Sequence, residues 1–299
     1  MATILIGGGT GFIGGYLSER LQALGHEVRH LSRRSRPDSA FPTFVWDIKN
    51  QTIDEAAFTD LDYVINLAGA GIADARWTEK RKQIIINSRT ESTKLLVDAI
   101  AKFRPQLKGY LSANAIGYYG DRGAEVLGED AGPGTGFLSR SCILWQEATA
   151  PIAEMGIPTF INRTGIVLHP KAGALQKMLI PLHFFVSTYF GAGQQYYSWI
   201  HIDDLVETYV FAIEKELAGA YNCVAPHPVR NRELAGALGP ASGKPALVLP
   251  APAFTMKLAL GEMSHTVLDS TRCSADKLQE AGFEFRFPTL MAALKDLLG

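Results

Sequence analysis

Three glycines near the start of the chain, Gly8, Gly11 and Gly14, have the spacing that lets a backbone approach a phosphate group closely. A short apolar run, 3–6, precedes them, and apolar residues at helical spacing follow them. Because glycine has no Cβ, the chain turns tightly there, and the helix that starts at the turn offers unpaired N–H groups to an anion. The simpler alternative is a turn that only packs strand against helix, but strand, turn and helix occur in the order that a dinucleotide site requires. The predicted contacts from this segment are Gly8, Thr10, Gly11, Phe12, Ile13 and Gly14.

The second predicted strand ends in Ser32, Arg33 and Arg34, where NAD-binding sheets usually carry an acidic residue that bonds the ribose hydroxyls. A carboxylate repels a 2′-phosphate, whereas a serine hydroxyl and a guanidinium bind it. The pattern therefore favours NADP over NAD, with Ser32 and Arg33 as contacts; the alternative is a solvated basic turn. Small residues end a later strand, and their backbone is expected to lie beneath the cofactor. They are Leu67, Ala68 and Gly69.

Two tyrosines are candidates for proton transfer. Tyr118 and Tyr119 follow the predicted strand 107–113 at its carboxyl end, where parallel sheets bind ligands, and a phenol can donate a proton. The alternative for each tyrosine is a packing role in the core.

A histidine is a further candidate, because the imidazole of His201 titrates near neutral pH. The same side chain could equally anchor its strand by a hydrogen bond to neighbouring backbone. Asp203 and Asp204 follow it at the start of a predicted helix, where acidic residues serve as cap and dipole partners, so no metal site is predicted.

Alternating strand-like and helix-like runs must position these residues. Repeated strand, helix and strand at these lengths predict a parallel sheet that is covered on both faces. The predicted fold class is therefore α/β, a doubly wound parallel sheet with a smaller C-terminal lobe. The predicted core spans 1–170 and is completed by 198–225, and the predicted substrate-capping lobe comprises 171–197 and 226–299. The main predicted strands are 26–31, 44–46, 62–68, 107–113 and 159–168, and the two long predicted helices are 76–103 and 137–155.

Composition limits the range of partners. The 299 residues carry a formal net charge of −1, which gives no electrostatic footprint for nucleic acid or for an anionic membrane. Cys142, Cys223 and Cys273 are odd in number and far apart, so a disulfide framework is not expected and a reducing cytoplasm fits best. No stretch is long and apolar enough to span a bilayer. The expected partner is a small-molecule substrate, and the oligomeric state is left open.

Several segments together resemble the extended short-chain dehydrogenase/reductases, and more closely their epimerase-like NADP-binding group with a C-terminal lobe of the DUF1731 type. The resemblance covers essentially the whole chain. It implies a Rossmann fold, NADP as the cofactor and Arg89 as a further contact that reaches the cofactor from a long helix. Extended relatives act on nucleotide sugars. Besides the glycine turn, the resemblance rests on 66–69, 76–78, 88–89, 117–120, 163–168, 191–195, 199–204 and 281–285.

The chain departs from that superfamily in its catalytic residues. The resemblance implies a tyrosine with a lysine four residues later, but no tyrosine of this chain has one, and 137–145 contains neither residue type. Asn114 stands where a serine or threonine hydroxyl is expected. We therefore expect an NADP-binding oxidoreductase or epimerase-type enzyme with a non-standard acid/base set drawn from Tyr118, Tyr119, His201 and Asn114. The alternative is a non-catalytic NADP(H)-binding protein that reports redox state to a partner.

Overall fold

The computed structural model describes residues 1–299 and is built around one large sheet. The strands are β1 (Thr3–Gly7), β2 (Glu27–Ser32), β3 (Thr43–Asp47), β4 (Thr52–Ile53), β5 (Tyr63–Asn66), β6 (Gly109–Ala115), β7 (Val126–Leu127), β8 (Thr159–Thr164), β9 (Ile166–Leu168), β10 (Val186–Phe190), β11 (Tyr196–Tyr197), β12 (Trp199–His201), β13 (Gly219–Cys223), β14 (Val229–Arg230), β15 (Leu247–Ala251) and β16 (Arg272–Cys273). The helices are α1 (Phe12–Ala23), α2 (Glu79–Phe103), α3 (Gly136–Glu154), α4 (Gly173–Leu179), α5 (Ile202–Glu214), α6 (Asn231–Ala241), α7 (Ala253–Leu260), α8 (His265–Leu268), α9 (Asp276–Glu280) and α10 (Leu290–Leu298).

The large sheet has eight strands in the order β13-β8-β6-β5-β1-β2-β3-β4. Every neighbouring pair is parallel except β3 with β4 at one edge. Strand order runs outward in both directions from β1, which is the arrangement of a doubly wound sheet. The predicted fold class is confirmed.

Both faces of the sheet are covered by helices. In β1, Ile4 and Ile6 belong to a buried cluster with Leu17 of α1 and Leu205 of α5. Leu5 points to the opposite face, where it lies in a cluster with residues of α2 such as Leu95. Central strands are therefore apolar on both sides, which explains why they appear in the sequence as continuous apolar runs.

Among the predicted boundaries that differ from the structure, two have an identifiable physical cause. The predicted helix 76–103 begins at Glu79, because the Thr78 side chain accepts a hydrogen bond from Arg81 N and caps it. The predicted strand 159–168 is divided at Gly165, where a Cβ would lie 2.5 Å from Ser198 O. After this close backbone approach the chain leaves β13 and pairs β9 with β12 instead.

Short strand pairs and helices make up the rest of the chain. β10 and β15 form a two-stranded parallel ribbon that packs on α6, and α10 packs on the same helix. Two carboxylate hydrogen bonds tie this region to the sheet, because Asp204 of α5 accepts from Arg286 N at 2.9 Å and from Phe287 N at 3.0 Å. The predicted limits of core and lobe stay predictions. None of the helices combines the length and apolar character needed to cross a membrane.

Candidate functional site

The glycine turn joins β1 to α1 in a conformation that side chains would block. Gly8 has φ +82°, and a Cβ there would lie 2.9 Å from Leu67 C. A Cβ on Gly14 would lie 2.3 Å from Gly8 O. Gly11 is the N-cap of α1, with no side-chain cap and no acidic residue in the first turn. The first amides of α1 therefore have no protein anion beside them, which suits a phosphate.

A buried histidine supports the turn from beneath. The imidazole of His30 on β2 occupies the space beside Gly9, where a Cβ would come within 2.4 Å of the ring. Ser18 donates its hydroxyl proton to Gly14 O at 2.6 Å, so His30 Nε2 must donate to Ser18 Oγ at 2.7 Å. Burial, together with the charge of Arg36, lowers the pKa of His30 to about 4. A neutral ring therefore fixes the turn; the sequence did not single out this residue.

The end of β2 carries positive charge and no carboxylate. Ser32 is buried, and its Oγ accepts from Arg34 N at 3.4 Å. Arg33 and Arg34 are exposed and form no ion pair. Their guanidinium groups are thus available to an external anion such as a 2′-phosphate.

The end of β5 is held by a buried amide. Asn66 donates from Nδ2 to Thr93 Oγ1 at 3.1 Å and accepts from Ala68 N at 3.1 Å. This fixes the backbone of Leu67 and Ala68 against Gly8. The backbone of Leu67 and Ala68 therefore lies against the glycine turn.

Arg89 lies beside this strand end. The position of a Cβ on Gly69 would be 3.0 Å from Arg89 Cζ, and Nη1 donates to Ala70 O at 3.1 Å and to Ile85 O at 2.9 Å. The guanidinium lies 5.0 Å from the Trp145 ring centroid and forms no ion pair. Burial lowers its pKa. A half-buried cation without a carboxylate is a suitable partner for an anionic ligand.

Tyr118 and Tyr119 have different surroundings. Tyr119 is fully buried, and its hydroxyl donates to Asn222 Oδ1 and accepts from Arg163 Nη1, both at 2.7 Å. Burial raises its pKa to about 12. Tyr118 is half-buried, and the Arg163 guanidinium lies 3.8 Å from its ring centroid. Of the two phenols, that of Tyr118 remains accessible.

Asn114 and His201, the other two candidates for proton transfer, are held by hydrogen bonds to nearby backbone. Asn114 donates to Cys142 O at 3.1 Å and accepts from Ala115 N at 2.8 Å. His201 is buried, stacks on Phe287 at a centroid distance of 3.9 Å, and accepts from Asp203 N at its Nδ1, which makes it the N-cap of α5. Burial lowers its pKa.

His201, Asp203 and Asp296 have ligand atoms within 4.8 Å of one another. Because Nδ1 of His201 accepts the capping bond, the neutral ring carries its proton on Nε2, which faces Asp296 Oδ2 at 3.3 Å. Nε2 then has no lone pair for a metal ion. The arrangement is that of a helix cap beside two carboxylates.

Two cavities flank α3. One, of about 470 Å³, lies between the first turns of α2 and α3 and is lined by Lys82, Phe137 and Arg140, with Glu262 paired to Lys82 at its rim. The other, of about 350 Å³, is lined by Tyr118 and by residues further along α3. None of the predicted acid/base residues lines the first cavity.

A cluster of three aromatic side chains beside α1 was not predicted from the sequence. Tyr16 Oη lies 2.8 Å from His169 Nε2, and the Phe12 ring packs at a tilt against the same imidazole, with 4.7 Å between ring centroids. His169 follows β9, so this contact joins the glycine-turn helix to the chain that enters α4. Tyr16 and His169 are 153 residues apart, and no spacing rule would have paired them.

Comparison with known proteins finds two family models that together match most of the chain. The model of the NAD dependent epimerase/dehydratase family matches residues 4–223, and that of a domain of unknown function, DUF1731, matches residues 251–297. An epimerase family protein of Mycobacterium bovis is 36% identical over 295 residues, covering 98% of this chain and 96% of the relative.

Two solved structures are similar over nearly the full chain. The human epimerase family protein SDR39U1, solved with NADPH, has a TM-score of 0.88 and 30% identity and covers 99% of both chains. A nucleoside-diphosphate sugar epimerase from Corynebacterium glutamicum has a TM-score of 0.79 and 31% identity, and covers 100% of this chain and 58% of its own. On this sequence and structural similarity, with the glycine turn in place, the chain belongs to the NAD-dependent epimerase/dehydratase family and carries a C-terminal DUF1731 domain.

Proposed function

We propose that this protein binds NADP(H) and uses it in oxidoreductase or epimerase-type chemistry on a small polar substrate. The observation that carries the cofactor choice is the end of β2, where Arg33 has no ion-pair partner and no carboxylate takes the ribose-binding position. The uncapped first turn of α1 would hold the pyrophosphate, and Arg89 would neutralise charge from the other side. The NADPH in the human relative supports the same choice.

In this proposal the bound cofactor supplies or accepts a hydride, and the protein positions the substrate and moves a proton. Tyr118 is the proposed proton donor, because the hydroxyl of Tyr119, the His201 ring and the Asn114 amide are each held in local hydrogen bonds. Arg163 fixes the Tyr118 ring by stacking on it. A sugar nucleotide is the first substrate class to test, because the Corynebacterium relative carries that name.

Calorimetry with NADPH and NADH tests the cofactor. We expect NADPH to bind more tightly, and Arg33→Asp to weaken NADPH binding by about tenfold to a hundredfold while leaving NADH binding nearly unchanged. Arg89→Met should weaken both nucleotides alike, since it acts on the part that they share. Lys102→Asp, a charge reversal at an exposed site at the carboxyl end of α2, is the matched control. Equal affinities of the wild-type protein for the two nucleotides would contradict the proposal.

A second candidate function is supported by two observations. The Tyr–Lys pair is missing, and three of the four predicted acid/base groups are held in hydrogen bonds within the protein. That function is redox sensing, in which NADP and NADPH change the affinity for a partner protein. Turnover of a carbonyl compound or sugar nucleotide that is lost in Tyr118→Phe supports the enzyme. Cofactor-dependent partner binding without turnover in a broad substrate screen supports the sensor.

A further inference from the structure

Large apolar side chains are exposed together on the C-terminal lobe. After Met1, the six most exposed large apolar residues of the protein all lie there, including Leu258 at 78%, Phe184 at 77%, Phe254 at 70% and Leu247 at 64%. We call this surface the lobe face. It comprises Ile180, Phe184, Phe185, Leu247, Leu249, Phe254 and Leu258.

The register of the β10–β15 ribbon shows which way its side chains point. Ser187 is paired with Val248, and Ser187 is buried with its hydroxyl on Ala235 O of α6. Side chains alternate along a strand, so Leu247 and Leu249 point away from α6 and into solvent. Both leucines are exposed on this side of the ribbon, Leu247 at 64% and Leu249 at 39%.

The ribbon continues directly into α7. Leu247 N donates to Phe185 O at 2.8 Å, which joins the two aromatic residues before β10 to the start of β15. None of the eight residues of α7 is buried, and Phe254 and Leu258, four positions apart, share one side of it. The lobe face is thus formed by adjoining elements.

The two stretches of chain that form the lobe face carry charge of one sign. Residues 155–202 and 234–261 contain no aspartate or glutamate. Exposed basic side chains in these stretches include Lys177, His183, Lys244 and Lys257. The acidic residue at the end of the second stretch, Glu262, is paired with Lys82. An apolar surface with a basic border complements an anionic surface.

We propose that the lobe face binds peripherally to a bilayer that contains anionic lipids. Aromatic and aliphatic side chains would enter the headgroup boundary, and the lysines would contact the lipid phosphates. A second copy of the chain fits less well, because a two-fold contact would bring the same lysines together. Strand addition at β15 is also hindered, because Pro250 stands on its outward edge and has no N–H.

Vesicle co-sedimentation tests the proposal with the full-length protein. We expect binding to vesicles of phosphatidylcholine mixed with phosphatidylglycerol, weak binding to phosphatidylcholine alone, and weakening as salt is added. Phe254→Ser with Leu258→Ser should reduce binding by about tenfold or more, because both side chains leave the boundary region. Lys244→Glu with Lys257→Glu should remove the preference for the anionic lipid.

Val126→Ser, at an exposed apolar residue outside the lobe face, is the matched control and should bind as the wild type does. Since all the changed side chains are exposed, thermal unfolding should be unchanged in every variant. Failure to co-sediment, or binding that the lobe-face variants leave intact, overturns the proposal. So does a lipid-free dimer that the same variants dissociate, because a second copy would then cover the surface. None of these outcomes depends on NADP(H) binding.

Discussion

At the scale of single residues, the imidazole beneath the glycine turn predicts a pH dependence. The pKa of His30 is lowered to about 4 in the folded protein, against an ordinary value of 6.5, so the unfolded chain binds the proton more tightly. Stability from this group is therefore complete above pH 6.5 and is lost as pH falls through 4. Between these values the free energy of unfolding should fall by about 1.4 kcal/mol per pH unit from this residue.

Denaturant titrations of the wild-type protein and His30→Gln between pH 7 and 4.5 measure the effect. A glutamine amide can still donate to Ser18 Oγ but does not titrate. We expect a shallower pH slope in the variant, whatever its stability at pH 7. Equal slopes would mean that His30 binds its proton equally tightly in the folded and the unfolded protein.

The residue types and their spacing indicated where the proposed cofactor site lies, but not which side chain transfers a proton. Gly8, Gly14 and Ala68 are brought together as expected, because motif spacing and strand order determine where each one lies. Arg89, which only the family resemblance implied, lies beside the adjoining Gly69.

The hydrogen-bond partner of Tyr119 was harder to predict than the role of His201. Tyr119 bonds Asn222, 103 residues away, while His201 takes the capping role that the pattern gave to the following aspartates. The partner of Tyr119 depends on tertiary packing and leaves no periodic signal. The His201 bond is to backbone only two residues further on, which is the alternative that the sequence left open.

At the scale of elements, two adjacent glycines in α1 should respond in opposite ways to alanine. Gly14→Ala would place a Cβ 2.3 Å from Gly8 O, whereas the same position on Gly15 has nothing within 4 Å. We expect Gly14→Ala to cost about 1–3 kcal/mol and to weaken nucleotide binding, because the turn must move off the helix. Gly15→Ala should stabilise the protein by about 0.5–1 kcal/mol.

Thermal unfolding with and without NADPH distinguishes the two variants. The expected pattern is a lower melting temperature and a smaller NADPH-induced rise for Gly14→Ala, and a higher melting temperature with an unchanged rise for Gly15→Ala. Parallel behaviour of the two variants would show that the turn does not depend on this close approach.

Elements of the core were predictable because their signals are local. Apolar runs of four to seven residues with intervening amphipathic helices mark a parallel sheet whichever tertiary contacts follow. The break at Gly165 was not predictable, since the backbone of Ser198 that approaches it is 33 residues further along the chain. The β10–β15 ribbon was missed for a similar reason, because its partners are separated by more than fifty residues.

At the scale of the whole molecule, the Asp204 carboxylate of α5 is one of the contacts that hold the C-terminal segment in place. Asp204→Ala leaves the N–H groups of Arg286 and Phe287 without their acceptors, and we expect a loss of about 2–4 kcal/mol. Asp203→Ala is the matched control, because it removes an exposed ion pair with Arg286 but leaves both acceptor oxygens of Asp204 in place, and it should cost less than about 1 kcal/mol. Hydrogen exchange should show faster exchange in α10 for Asp204→Ala alone.

The net charge of the whole chain gave an incomplete view of its surface. A value of −1 arises from an acid-rich remainder and two acid-free stretches, 155–202 and 234–261, which contribute the exposed apolar residues of the lobe face. Averaging over 299 residues removes that asymmetry, and only the fold brings residues 177 and 257 to the same region. The expectation of no affinity for anionic membranes followed from the average, and the lobe face is the reason to test it.

The position of β13 has a consequence during synthesis on the ribosome. In the sheet β8 lies between β6 and β13, but β13 is translated more than fifty residues after β8. Until Cys223 has emerged, the outer edge of β8 has no neighbouring strand, and the apolar residues that precede β13 are already outside the exit tunnel. The nascent chain therefore passes through a stage with an open strand edge, which is the stage at which chaperones protect a growing protein from aggregation.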